Sequence, residues 1–93
     1  MARVTVRLHG AFSEMAGGVR HVAIDARTVG EALDVLPGEL PGLRERIRDE
    51  QGRIRQHLNV FRNEDEIRRL KGEKTPLREG DVLTLVPAMS GGD

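Results

Sequence analysis

The run "VLTLV", Val82 to Val86, constrains this chain most. It is nearly continuous apolar, as strands covered on both sides tend to be. It is also the last strand-like segment of the sequence, so the strand made last is expected at the centre of the sheet. The other segments carry weaker, one-sided patterns. Val4, Val6 and Leu8 alternate with Thr5, Arg7 and His9, the period of two of a half-buried strand. The glycine-bounded "GAFSEMAGG" reads as a loop. Val19 to Asp25 alternates again, with Val22 and Ile24 on one side, which makes an N-terminal hairpin with a wide connection.

A single helix signal follows. Thr28-Val29-Gly30-Glu31 fits a capping box, in which the Thr oxygen and the Glu carboxylate each satisfy an orphan amide. Val29, Ala32, Leu33 and Leu36 recur at helical spacing, and Pro37 and Gly38 are expected to stop the helix. Leu40, Leu43 and Ile47 form the apolar stripe of a short restart at Pro41. In "LRERIRDE", Arg46 with Glu50 and Glu45 with Arg48 have the spacing that supports an exposed helix. Ile54 to Asn63 reads as a third strand, with Leu58, Val60 and Arg62 on one parity and His57, Asn59 and Phe61 on the other. Asn63 to Glu66 reads as a turn and Ile67 to Leu70 as a short fourth strand. The order β-β-α-β-β-β, one helix across one mixed sheet of about five strands, is an α+β fold around a single core. Residues 1–87 form the domain and 88–93 a small-residue, flexible tail.

Composition removes several classes of function. Ninety-three residues leave room for one domain. The chain has no cysteine, so it holds no disulfide, thiolate metal site or cysteine nucleophile. Fifteen basic residues balance fifteen acidic ones, and with two Phe and no Trp or Tyr there is neither a net basic face nor a base-stacking platform for nucleic acid. No apolar run approaches the roughly 18 residues that span a bilayer. Met1-Ala2-Arg3 leads straight into a strand pattern. A soluble, cytoplasmic protein is expected, without nucleic-acid or membrane partners. His9, His21 and His57 show no metal-ligand spacing, and no metal is expected.

The chain then closes on "LVPAMSGGD". Small residues are common at frayed termini, but this tail leaves directly from a core strand. The stretch "HLNVFRNEDEIRRLKGEKTPLREGDVLTLVPAMSGG" resembles the second half of the ubiquitin-like sulfur carriers, the MoaD, ThiS and CysO groups. The matching pieces are Asn59-Val60, Asn63 to Ile67, Thr75-Pro76-Leu77, Glu79-Gly80-Asp81, Pro87-Ala88 and Gly91-Gly92. The N-terminal hairpin and the Thr28-led helix fit the same β-grasp (ubiquitin-like) fold. The likeness is greatest to CysO-like and MoaD-like members.

That resemblance implies a carrier rather than an enzyme. A ubiquitin-activating-type (E1-like) adenylyltransferase and sulfurtransferase uses ATP to adenylate the carboxylate of the final glycine. The adenylate becomes a thiocarboxylate, and the sulfur passes to a biosynthetic enzyme, here one of cysteine or another sulfur metabolite. The carrier binds no cofactor of its own. Gly92 would hold the sulfur, with Gly91 beside it. Glycines suit a chain end that must thread a narrow channel, because they let backbone approach a ligand closely. Met89 and Ser90 keep the link flexible yet short. Asp93 departs from the pattern, in which Gly-Gly is last. It marks the Gly92–Asp93 bond as a processing site, cut by a zinc-dependent JAMM-type peptidase in some members. The rivals are the small subunit of molybdopterin synthase, a protein modifier joined to lysines, and an inert binding module that keeps Asp93.

Two surface features are candidates for partner docking. Phe61 lies on the parity opposite Leu58 and Val60, and is expected on the outer sheet face with Leu83 or Leu85 beside it. Aromatic anchors on exposed patches mark interfaces, and the family's outer sheet face meets the activating enzyme. Arg68, Arg69, Leu70 and Lys71, with Lys74 nearby, form either a solvated edge or a steering patch for an acidic partner. Met89 completes the docking set at the root of the tail.

Overall fold

The computed structural model describes residues 1–88. Five strands form one mixed sheet: β1 (Ala2–Leu8), β2 (His21–Ala26), β3 (Leu58–Arg62), β4 (Asp65–Glu66) and β5 (Val82–Pro87), in the order β2-β1-β5-β3-β4. β1 and β2 pair antiparallel as the expected hairpin. β5 lies in the middle, parallel to β1 and antiparallel to β3, as its apolar run predicts. The main helix, α2 (Val29–Glu39), packs across one face.

The alternation of β1 explains its burial. Ala2, Val4, Val6 and Leu8 turn inward and are buried, while Arg3 and Arg7 are exposed. They meet Ile24 and Ala26 of β2, Val29, Ala32, Leu33 and Leu36 of α2, and Leu83 and Leu85 of β5 in one core. Leu40, Leu43 and Ile47 close one end of that core, as their spacing predicts.

The helix starts where the capping box predicts. The Glu31 N–H donates to Thr28 Oγ1 at 3.2 Å. The Glu31 carboxylate reaches back one residue further than expected, accepting from the Arg27 N–H at 2.8 Å. Its end is later than expected: Pro37 is inside, and α2 runs to Glu39. Proline removes one amide, but the Leu40 N–H still closes onto the Leu36 carbonyl at 2.9 Å, and burial of both leucines holds the turn.

Four local expectations are corrected. The segment after β1 is not all loop: α1 (Ala11–Met15) forms there, anchored by buried Phe12. The exposed helix over 43–50 is absent; a 3-10 turn at Pro41–Leu43 leads into turns. Ile47 is drawn into the core there, and the Arg48 guanidinium is drawn toward α2. β3 is shorter than Ile54 to Asn63, because Ile54 forms only an isolated bridge with Arg48. Ile67 to Leu70 is not a strand. Strand β4 is Asp65–Glu66, reached through a two-residue turn in which Asn63 takes a left-handed φ of 55°. A 3-10 turn over Ile67–Arg69 follows, because the Glu66 carboxylate caps it from the Arg68 N–H at 3.0 Å.

Candidate functional site

The tail begins at the end of the central strand. β5 is hydrogen-bonded on both sides, and its last residues are pinned further. The His9 N–H donates to the Leu85 carbonyl at 3.1 Å, and the Ala88 N–H to the His57 carbonyl at 2.7 Å. Gly10, at a φ of 57°, lies against the Pro87 ring; a Cβ there would come within 3.2 Å of Pro87 Cγ. The candidate residues Met89, Gly91, Gly92 and Asp93 lie outside the described residues.

The outer sheet face is built by register. Phe61 stands opposite Thr84 on one side and Glu66 on the other. Thr84 stands opposite Arg7, and Arg7 opposite His21. These five residues form one row across the face that α2 leaves uncovered. Phe61 is half-buried in it, as its parity predicts.

Leu83 and Leu85 are not part of that surface. Both have no exposed area and point into the core beneath α2. The outward parity of β5 belongs to Val82, Thr84 and Val86, all half-buried. Thr84, the one polar residue within "VLTLV", was the available signal for that parity.

Arg68 does reach the Phe61 side of the sheet. Its Nε donates to Glu66 Oε1 at 2.9 Å and its Nη2 to Asn59 Oδ1 at 2.7 Å. Burial would raise the Glu66 pKa, but the Arg68 N–H and guanidinium outweigh it and hold the carboxyl below its ordinary range. Arg69 is exposed and makes no ion pair among the described residues.

Arg48, read from sequence as part of an exposed helix, instead joins three segments. Its Nε donates to Asp34 Oδ1 at 2.9 Å and its Nη1 to the Gly52 carbonyl at 2.8 Å. Its Nη2 contacts Glu73 and the Gly30 carbonyl. The hydrogen bond to Glu73 is the main cause that raises the Arg48 pKa, against the cost of burial.

Among the described residues no group of three or more His, Asp or Glu side chains is placed to hold a metal ion. No helix among them is long and apolar enough to cross a membrane. What the geometry offers is an uncovered sheet face and a strand whose end is hydrogen-bonded in place up to Ala88.

Sequence similarity to the ThiS family runs over residues 6–92. The chain belongs to the ThiS family. Its fold is the ubiquitin-like β-grasp, and its relatives are small sulfur carriers and modifiers. Small archaeal modifier protein 1 of Haloferax volcanii is 39% identical over 93 residues, covering 92% of this chain and 97% of that protein. A crystal structure of that protein superposes with a TM-score of 0.85, at 34% identity, over 98% of this chain and all of the other. The sulfur carrier protein CysO of Mycobacterium tuberculosis is 29% identical over 91 residues, 96% of this chain and 98% of the relative. CysO from the Amycolatopsis orientalis BexX/CysO complex superposes with a TM-score of 0.82 at 29% identity, over 96% of this chain and 99% of the other.

Proposed function

We propose that this ThiS-family protein carries sulfur on the carboxylate of Gly92, after removal of Asp93. The single observation that carries the proposal is the extent of the family match, which ends at Gly92 and leaves Asp93 outside it. The pinned end of β5 supports it physically. From Ala88, four further residues give a reach of at most about 14 Å, long enough to enter a partner's channel from a fixed origin.

The steps balance without a catalytic side chain from this protein. A Gly92 carboxylate oxygen attacks the α-phosphorus of ATP and pyrophosphate leaves. A sulfur nucleophile then attacks the acyl carbon and AMP leaves. That sulfur is the outer atom of a persulfide on the partner enzyme; a second thiolate of the same enzyme attacks the inner sulfur, a disulfide forms there, and the thiocarboxylate leaves. Positioning supplies most of the rate in such transfers, so the activating enzyme holds the machinery and this chain supplies the reactive end. A side chain and an extra carboxylate at Asp93 would crowd the ATP phosphates, which is the reason for its removal by a JAMM-type peptidase. Phe61, flanked by Thr84 and Val86, is assigned as the docking patch for the activating enzyme, and a cysteine-forming or related enzyme as the sulfur acceptor. The need for ATP fits a cytoplasmic setting.

The intact mass of the protein from its own cells, isolated so that thioacids survive, tests this. Loss of one Asp residue and a gain of about 16 Da, oxygen replaced by sulfur, is the expected result. A population that uniformly keeps Asp93 and its unmodified mass would end the proposal.

A second reading, a protein modifier joined through Gly92 to lysines, draws on the 39% identity with the archaeal modifier. Tryptic digests of the same cells in which target lysines carry the segment 79–92, released after Arg78, would support it.

A further inference from the structure

We propose that the cleft between the end of β1 and the start of β2, beside the root of the tail, is an electrostatic dock for an acidic surface of the protein that takes the tail. The proposal deepens the carrier reading and rests on it for the identity of that partner as a tail-binding protein.

The cleft measures about 600 Å3, and Arg7, His9, Arg20 and His21 line it, with Glu14 as its one acidic residue. Sequence separates these basic residues into two groups, and the fold joins them. Arg7 and His21 are direct cross-strand partners. The Leu8 N–H donates to the Arg20 carbonyl at 2.8 Å, which brings Arg20 and His9 to the same end. The cleft is next to the end of β5, because the His9 N–H bonds the Leu85 carbonyl and Gly10 lies against Pro87.

What sets this grouping apart is that Arg7 and Arg20 share the cleft with a single carboxylate, Glu14. The chain has no net charge, and four of its eleven other arginines, Arg53 with Asp49 among them, form ion pairs. Arg3 pairs with Asp25, Arg48 with Asp34 and Glu73, and Arg68 with Glu66. Arg7 and Arg20 are exposed and make no ion pair among the described residues. The groove on the other side of Pro87 is of mixed charge, with Glu45, Asp49 and Glu50 among its arginines, and is not included.

A local excess of cations on a neutral protein steers an oppositely charged partner and fixes its orientation. Arg7 also belongs to the row that contains Thr84 and Phe61, so the dock continues the apolar patch. A surface of this make-up, with Phe61 separated by Thr84 from Arg7, fits a protein that presents an apolar seat edged with Asp and Glu. The spread of the cations over two strands and their loops suits carboxylates on such a surface better than a single converged phosphate.

The test uses the isotope-labelled full chain, titrated at low salt with a hexaglutamate peptide and, separately, with inorganic tripolyphosphate. The expected result is that hexaglutamate shifts the amides of Arg7, His9, Arg20 and His21. The double variant Arg7→Glu with Arg20→Glu should weaken that binding roughly tenfold or more, and Arg27→Glu with Arg78→Glu should leave it within about twofold. Shifts that are absent or scattered would overturn the dock. Shifts caused by tripolyphosphate alone would overturn it in favour of a phosphate site. With the activating enzyme, Arg7→Glu with Arg20→Glu should lower kcat/KM for thiocarboxylate formation about tenfold. An unchanged kcat/KM overturns the dock while the carrier reading stands. Failure of the wild-type chain to be converted ends the carrier reading, and the peptide titration still decides the cleft.

Discussion

Single residues divide here between those that hold the platform and those that face a partner. Arg48 holds it. Its guanidinium binds two carboxylates and two carbonyls across α2, the 48–54 loop and the 3-10 turn at Gly72–Lys74. Hydrogen bonds to charged groups contribute about 1.5–3 kcal/mol, less where the partners are solvated. Arg48→Met should therefore cost about 1–2 kcal/mol in urea unfolding. Leu85 and Phe61 make an informative pair. Leu85→Ala, in the core, should cost about 2–5 kcal/mol. Phe61→Ala should cost about 1–2 kcal/mol, because the ring is only partly buried. Conversion by the activating enzyme should fall sharply only for Phe61→Ala, assayed where both variants are folded. Asp81 gives the acid limb of stability. Burial would raise its pKa, but the Arg78 N–H, the Asn63 amide and the Arg62 and Arg78 charges outweigh that and hold it below its ordinary 3.8. A carboxyl lowered in the folded state adds stability above its unfolded pKa and loses it as pH falls through the folded one. Thermal melts should show Tm dropping below about pH 4, with a smaller drop in Asp81→Asn.

Elements were legible in the sequence where local chemistry alone decides them. The capping box is one case: Thr28 and Glu31 need only their own helix to act. Thr28→Ala should cost about 1 kcal/mol, measured by denaturant melt. Alternation made β1 and β2 legible for the same reason, since period two puts their apolar residues on one side whatever they pack against. Elements set by distant contacts were not legible. The "RERIRDE" segment has good i,i+4 charge spacing, yet Asp34 and Glu73 capture Arg48 and the helix does not form. The short α1 depends on Phe12 finding the core and on its end resting against Gly42. A Cβ on Gly42 would collide with the Met15 carbonyl. Gly42→Ala should therefore cost about 1–3 kcal/mol and increase solvent exposure of the Met15 methyl, read by NMR.

At the scale of the whole molecule, the central position of β5 governs both stability and function. A strand bonded on both sides opens only when its neighbours do. The amides of Leu83 to Val86 that bond β1 or β3 should exchange slowest with solvent, and those of the β2 edge faster, by hydrogen exchange. The same position fixes the point from which the chain end departs. Local pattern along the chain was enough for the fold class and the central strand, because apolar period and continuous apolar runs depend only on neighbouring residues. It also placed Phe61 on the outer face, since Leu58 and Val60 define the opposite parity. Packing beneath α2 set Leu83 and Leu85 inward and left Val82, Thr84 and Val86 facing out. Tertiary contacts alone made Arg48 a tie and brought Arg7, His9, Arg20 and His21 into one cleft. In a strand whose one polar residue is a Thr the parity signal is weak, and side chains far apart in sequence become neighbours only through register, which strand pairing sets.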